Sequence, residues 1–392
     1  MTGVVHKLVR GLPLLVLASA VAVPGAAADS IPRADKTSAA ELGLRPGERI
    51  DEERIQDLYR SALALWAGGQ DDAAAQRLMA VEAAVVREGD IDARRILLKA
   101  QEKVVQELAA SSLEVLVPMA VLHHEVYHRH LVQGERRHML LTAHARGMAR
   151  DLAVLYERHA GNDRARATAA LVLNSLGGYL LDASQQLLAG QMFTLASSYD
   201  PRSVPAYMGL AVIYEKSGQY ETAIGSLRGA LGVDPMQPQA LLRLGINLHR
   251  TGQSDNAVRA LRPLTGMPGW IGALAVEELA RVHVETKDLA AAESVLRAGL
   301  ERFPNEGAIY LQLAALLDRQ GKVVEGRELM GRFLALPAAE RGDARLRYNQ
   351  DPAQLWEAVR RQLVESARSS LPLLAQALGQ PAAPAAVGDT GS

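Results

Sequence analysis

Seven of the ten histidines of this chain fall between residues 123 and 159, at His123, His124, His128, His130, His138, His144 and His159. Within them runs His124-Glu125-Val126-Tyr127-His128. On a helix, residues four apart share a face, so the imidazoles of His124 and His128 can reach one zinc ion. Glu125 then stands where a general base polarises the metal-bound water. The chain has no cysteine, which excludes disulfides, thiolate nucleophiles, cysteine-ligated metals and a lipidated N-terminal cysteine.

The five-residue pattern resembles that of the zincin metallopeptidases. The resemblance implies zinc held by His124 and His128 and hydrolysis assisted by Glu125. The chain departs from that family in several places. Arg129 follows the second histidine, and Leu131 and Gly134 stand where the extended metzincin pattern has glycine and histidine. Glu157 is only the nearest glutamate available as a third ligand, and a catalytic zinc needs three. Histidine density also makes a chance match common. The competing reading is a histidine-rich helix face on which His123, Tyr127, His130 and Leu131 fill turns between packed helices; a metal site without proteolysis is a third. The balance is against an enzyme, so no catalytic residue, metal ligand or cofactor is assigned, and zinc at 124–128 stands as the alternative. Walker, nucleophile-elbow, EF-hand and Rossmann patterns are absent from the sequence.

The elements that would carry such a site are helical. Ala, Leu and Val dominate the apolar fraction, aromatics are 4%, and Ala and Leu favour helix over strand. Residues 1–28 read as a signal peptide: Lys7 and Arg10 precede an apolar run from Leu12 to Val23, and Ala26-Ala27-Ala28 offers cleavage before Asp29. Export to the periplasm or outside is therefore expected, with no membrane span left after cleavage. Residues 29–50 read as a linker and 51–169 as an N-terminal helical region. In that region Leu58, Ala62 and Leu65 face one way, Gly68-Gly69 breaks the helix, and Ala74, Leu78 and Val81 repeat the face. Pro118 is expected to start or kink a helix.

From residue 170 to 338 the chain repeats at a period of about 34. Tyr207, Leu210, Ala211, Tyr214, Gly218, Ala223, Leu227, Ala230 and Pro235 mark one unit. Leu241, Leu244, Gly245, Leu248, Gly252, Ala257 and Leu261 mark the next. Val276, Leu279, Ala280, Ala292, Leu296 and Pro304, then Tyr310, Leu313, Ala314, Leu317, Gly321 and Met330, continue it. Leu173, Leu176, Gly177, Leu180, Ala189, Phe193, Ala196 and Pro201 precede it, giving five units. Small residues let paired helices approach, and prolines stop the second helices; Pro263 predicts a short second helix in the third unit.

The pattern resembles the tetratricopeptide repeat (TPR) family, which implies a right-handed superhelix whose first helices line a concave groove. On that resemblance the groove is lined by Asn174, Met208, Val212, Leu242, Arg243, Ile246, Glu277, Arg281, Leu311 and Gln312. This set lacks the lysines and asparagines that clamp a C-terminal carboxylate in chaperone-binding members. The expected occupant is an extended or helical segment with apolar anchors from a partner protein. After the array, 339–379 is expected to hold a capping helix that covers the last repeat, starting at Asp351-Pro352, and 380–392 a disordered tail. Near-balanced charge, 43 basic against 44 acidic residues, gives no basis for nucleic-acid binding. The sequence thus favours an exported all-α scaffold or adaptor.

Overall fold

The computed structural model describes residues 51–85, 91–110, 112–132, 161–182 and 184–379, all of them helical or connecting. The signal peptide, the linker and the tail expected at the two ends lie outside these residues.

The N-terminal layer comprises α1 (Glu52–Ala67), α2 (Asp71–Val85), α3 (Ile91–Ala109) and α4 (Leu116–Val132). Asp51 caps α1 by accepting from the Arg54 amide at 2.8 Å, and Gly69 turns the chain into α2 with φ +74°. Pro118 sits in the first turn of α4, where its missing N–H has no helical acceptor to lose. Leu63, Leu78, Val104, Leu116 and Met119 are fully enclosed in one core with the first repeat.

Five helical hairpins follow: α5 (Asp163–Asp182) with α6 (Gln186–Tyr199), α7 (Val204–Lys216) with α8 (Tyr220–Val233), α9 (Pro238–Arg250) with α10 (Ser254–Leu261), α11 (Gly269–Glu285) with α12 (Leu289–Arg302), and α13 (Gly307–Arg319) with α14 (Val323–Ala335). Each turn is made the same way. A residue at positive φ, in order Ser184, Gly218, Gly252, Lys287 and Gly321, closes the first helix. The next amide reaches back to a carbonyl five residues earlier, as Gln219 N to Tyr214 O at 2.8 Å and Asp288 N to His283 O at 2.8 Å. Two of the five turns lack glycine and hold a Cβ in the left-handed region, at Ser184 and Lys287.

Inside the hairpins, missing side chains make room for large ones. A Cβ built on Gly177 or on Gly209 would stand 2.6 Å from the Phe193 ring, so that ring fills the gap between two neighbouring first helices. Gly245 makes the same room for Leu261, and Gly299 for Val276. Helix α10 stops at Leu261, two residues before Pro263, and Arg262–Gly266 continues as a tighter 3-10 turn.

The C-terminal helix α15 (Ala344–Ala377) departs from the expected cap. It starts at Asp343, whose carboxylate accepts from the Leu346 amide at 2.8 Å, and it runs straight through Pro352 and Pro372. It does not cover the last repeat. It turns back into the array, packs on α5, α7 and α11, and ends against α1 and α4. Its buried stripe, Ala344, Tyr348, Asp351, Trp356, Val359, Leu363, Ala367, Ser370 and Leu374, recurs at helical spacing. Burial of that stripe offsets the two backbone hydrogen bonds that the prolines remove.

Candidate functional site

The concave face is where the sequence placed a binding groove, and α15 lies in it. One position recurs on all five first helices as Asn174, Met208, Leu242, Glu277 and Leu311. The first four are at most 2% exposed, while Leu311 is 56% exposed. Val212 and Ile246, one turn further along, are also buried, whereas Arg281 is exposed and Gln312 half-buried. Of the ten residues proposed to line an open groove, seven are therefore buried in the chain's own packing, and the open ones, Arg281, Leu311 and Gln312, lie in the fourth and fifth repeats. The period that located these positions reports which way they face, not what fills the space opposite.

The two halves of α15 sit in different surroundings. From Trp356 onward contacts are apolar. The Trp356 ring stacks on Phe193 with centroids 4.9 Å apart, over Gly178, whose absent Cβ would stand 3.0 Å from the indole. Val359, Leu363, Ala367 and Leu374 continue into the N-terminal core.

From Ala344 to Asp351 only Ala344 and Tyr348 join the apolar core of the later repeats, and the remaining contacts are polar. Arg243 on α9 is 2% exposed and donates to Glu215 of α7 at 2.6 Å and to Asp351 of α15 at 3.0 Å. Its guanidinium also lies 4.6 Å from the centre of the Tyr348 ring. Burial alone would weaken the charge on Arg243, but Tyr348, Glu215 and Asp351 outweigh it and raise its pKa. Asn247 donates to Glu215 at 2.7 Å. Arg345 pairs with buried Glu278, which Arg281 also approaches at 3.1 Å. The Ala344 amide donates to Glu306 at 3.0 Å. Burial pushes the Glu277 carboxyl up to about 7, with Arg345 opposing and Glu306 adding to the rise. Several buried polar atoms here have no hydrogen-bond partner among the described residues: Arg243 Nε, Asn247 Oδ1 and Glu277 Oε1.

The resemblance placed Arg243 among the residues lining an open groove. Arg243 is instead the cation at the centre of an intramolecular ion pair. Reversing it would set three carboxylates against one another. Asp351, Tyr348 and Arg345, the residues that answer the groove, were not singled out as site residues. The signal available in the sequence was the apolar stripe from Leu355 onward, which gives a buried face but not its docking place.

The backbone of residues 124–128 forms part of α4, with Val126 buried and Glu125 half-buried. The side chains of His124 and His128, and all of Glu157, lie outside the described ones. Among the described residues, no group of three His, Asp or Glu is placed to hold a metal. The neighbouring His123 accepts or donates through Nε2 to the buried Tyr59 hydroxyl at 2.7 Å. Burial lowers the His123 pKa to about 4, against the pull of Glu82.

Models of the tetratricopeptide repeat match residues 208–264 and 274–316. No curated protein matches the chain. Among solved structures, MamA is similar at 17% identity over 42% of this chain and 90% of MamA, with a TM-score of 0.39. Pseudomonas aeruginosa pilF is similar at 22% identity over 54% of this chain and 93% of its own, with a TM-score of 0.39. YrrB, a TPR protein described as having an unusual peptide-binding site, is similar at 15% identity over 47% and 92%, with a TM-score of 0.38. No helix among the described residues is long and apolar enough to cross a membrane. With five hairpins turned alike and tetratricopeptide repeat models matching within the second to fifth of them, the body of the chain is an all-α solenoid of the tetratricopeptide type.

Proposed function

We propose that the protein is an exported TPR scaffold or adaptor that binds a segment of a partner protein in its concave groove. The observation that carries this reading is α15. A surface that accepts an amphipathic helix along α5, α7 and α11, with Arg243 of α9 paired to it, has the shape and chemistry for helix-in-groove recognition. The export half rests on the residues before Asp29, and mass spectrometry of protein from its host is expected to find a mature N-terminus near Asp29; retention of Met1 would refute it.

The binding half is tested at the open lip. A photo-crosslinking residue at Leu311, which is 56% exposed on a first helix, is expected to give a discrete adduct in the host. The same residue at Glu301, exposed on the second helix α12, is expected to give none. Equal labelling at both positions, or none at Leu311, would remove the groove as the binding surface.

A further inference from the structure

The two halves of α15 differ in what undocking would cost. Lifting the second half exposes Trp356, Val359, Leu363 and Leu374 to water. Lifting Ala344–Asp351 exposes less apolar surface, chiefly Ala344 and Tyr348, and returns Glu215, Arg243, Asn247, Glu277, Glu278 and Glu306 to water, which solvates charge well. The docked arrangement also leaves Arg243 Nε, Asn247 Oδ1 and Glu277 Oε1 without hydrogen bonds, so the fit is incomplete. Pro352 removes the helical bond to the Tyr348 carbonyl and marks the boundary between the halves. The fifth repeat, beside this segment, is the open end of the groove, where Leu311 and Leu346 are both more than half exposed.

We propose that residues 344–351 are a displaceable plug, and that the partner is a helix presenting a cation, an aromatic ring and a carboxylate at i, i+3 and i+6. The plug itself defines that chemistry: Arg345 pairs with Glu278, Tyr348 lies under the Arg243 guanidinium, and Asp351 pairs with Arg243. Without the plug the site holds Arg243 and Arg281 against Glu215, Glu277, Glu278 and Glu306, so carboxylates still outnumber cations, and a partner needs a cation for the acidic end and a carboxylate for Arg243. The partner helix enters at the open lip, takes these contacts, and leaves the second half of α15 anchored in the N-terminal core. The inference rests on the scaffold reading.

The absence of cysteine makes the test clean. Ala344→Cys and Ser370→Cys each place one thiol at a position no more than 3% exposed, in the plug and in the anchored half. In the full chain, the thiol at 344 is expected to react with a maleimide at least tenfold faster than that at 370. Equal rates would overturn the plug. Hydrogen exchange of the wild type over 344–351 and 363–377 reads the same difference, so a variant that fails to fold does not obscure the result. A synthetic peptide of residues 344–359 is expected to speed labelling at 344 saturably, and the same peptide carrying Arg345→Glu and Asp351→Lys is not. Equal action of both peptides, or of neither, would overturn the proposed ligand chemistry. Acceleration by added unlabelled chain would assign the groove to a second copy and overturn the partner. If the plug opens but Leu311 captures nothing in the host, the scaffold reading fails; if Leu311 captures a partner while the plug stays shut, only displacement fails.

Discussion

The interior of the hairpins and the groove they enclose are built from the same first helices by opposite means. Inside, Phe193 fits over Gly177 and Gly209, and Leu261 over Gly245, so contact is apolar and repeats from unit to unit. Across the groove, equivalent positions of the third to fifth units carry Arg243, Glu278 and Gln312, and no two of them agree. Packing in the interior serves any unit equally, so one solution recurs. The groove faces a single helix that meets successive units with different parts of itself. A repeating surface stabilises the solenoid; a non-repeating one specifies an occupant and its register.

The two solutions meet at Trp356, whose ring stacks on the interior Phe193. Trp356→Ala is expected to cost about 3–5 kcal/mol, as for large-to-small changes in cores. Chemical denaturation checks it, and a loss below about 1 kcal/mol would place α15 outside the cooperative unit.

A polar groove and an apolar interior also differ in their response to pH. Glu277 sits at about 7 when folded against 4.5 for an ordinary glutamate, so its folded form holds the proton more tightly. Its contribution is fully present below pH 4.5 and is lost as pH rises to about 7, on the order of 3 kcal/mol in all. Glu277→Gln is expected to flatten this slope and to keep the low-pH stability at pH 8. The N-terminal layer runs the other way: His123, held near 4 against 6.5, contributes stability above pH 6.5 that is lost as pH falls toward 4. Denaturation midpoints from pH 4 to 8 separate the two, and an unchanged slope in the glutamine variant would assign the groove's pH response elsewhere.

Gly209→Ala probes the interior alone. Its new Cβ would meet the Phe193 ring at 2.6 Å, and a rigid ring confined between two helices has little room to yield. The expected cost is about 1–3 kcal/mol, read by thermal unfolding. An effect confined to the groove, seen as faster exchange of 344–351 without loss of stability, would break the separation between the two surfaces.

The smallest effect concerns the turns. Lys287 adopts φ +64° where its counterparts Gly218, Gly252 and Gly321 adopt +72° to +77°. Lys287→Gly is expected to raise stability by about 0.5–1 kcal/mol by relieving the Cβ clash, less the added freedom of the unfolded chain. A destabilised variant would show that the lysine side chain contributes more than the strained backbone costs.

The sequence by itself determined the helices, the five units and the inward faces. Each of these follows from spacing within one or two helical turns and from the period that brings small and large residues together, as at Gly245 and Leu261. Pro263 told where α10 ends because a proline acts on its own turn. Tertiary structure alone decided what the groove holds. Arg243 finds Asp351 across 108 residues and Glu215 finds Tyr348 across 133, and no local pattern encodes such pairs. Asp351-Pro352 reads locally as a helix start, yet the helix begins at Asp343 and continues through the proline, because docking on several first helices outweighs one missing hydrogen bond. The position shared by Asn174, Met208, Leu242, Glu277 and Leu311 was fixed by period as concave; that four of them are buried and the fifth is open was decided by tertiary packing around each unit.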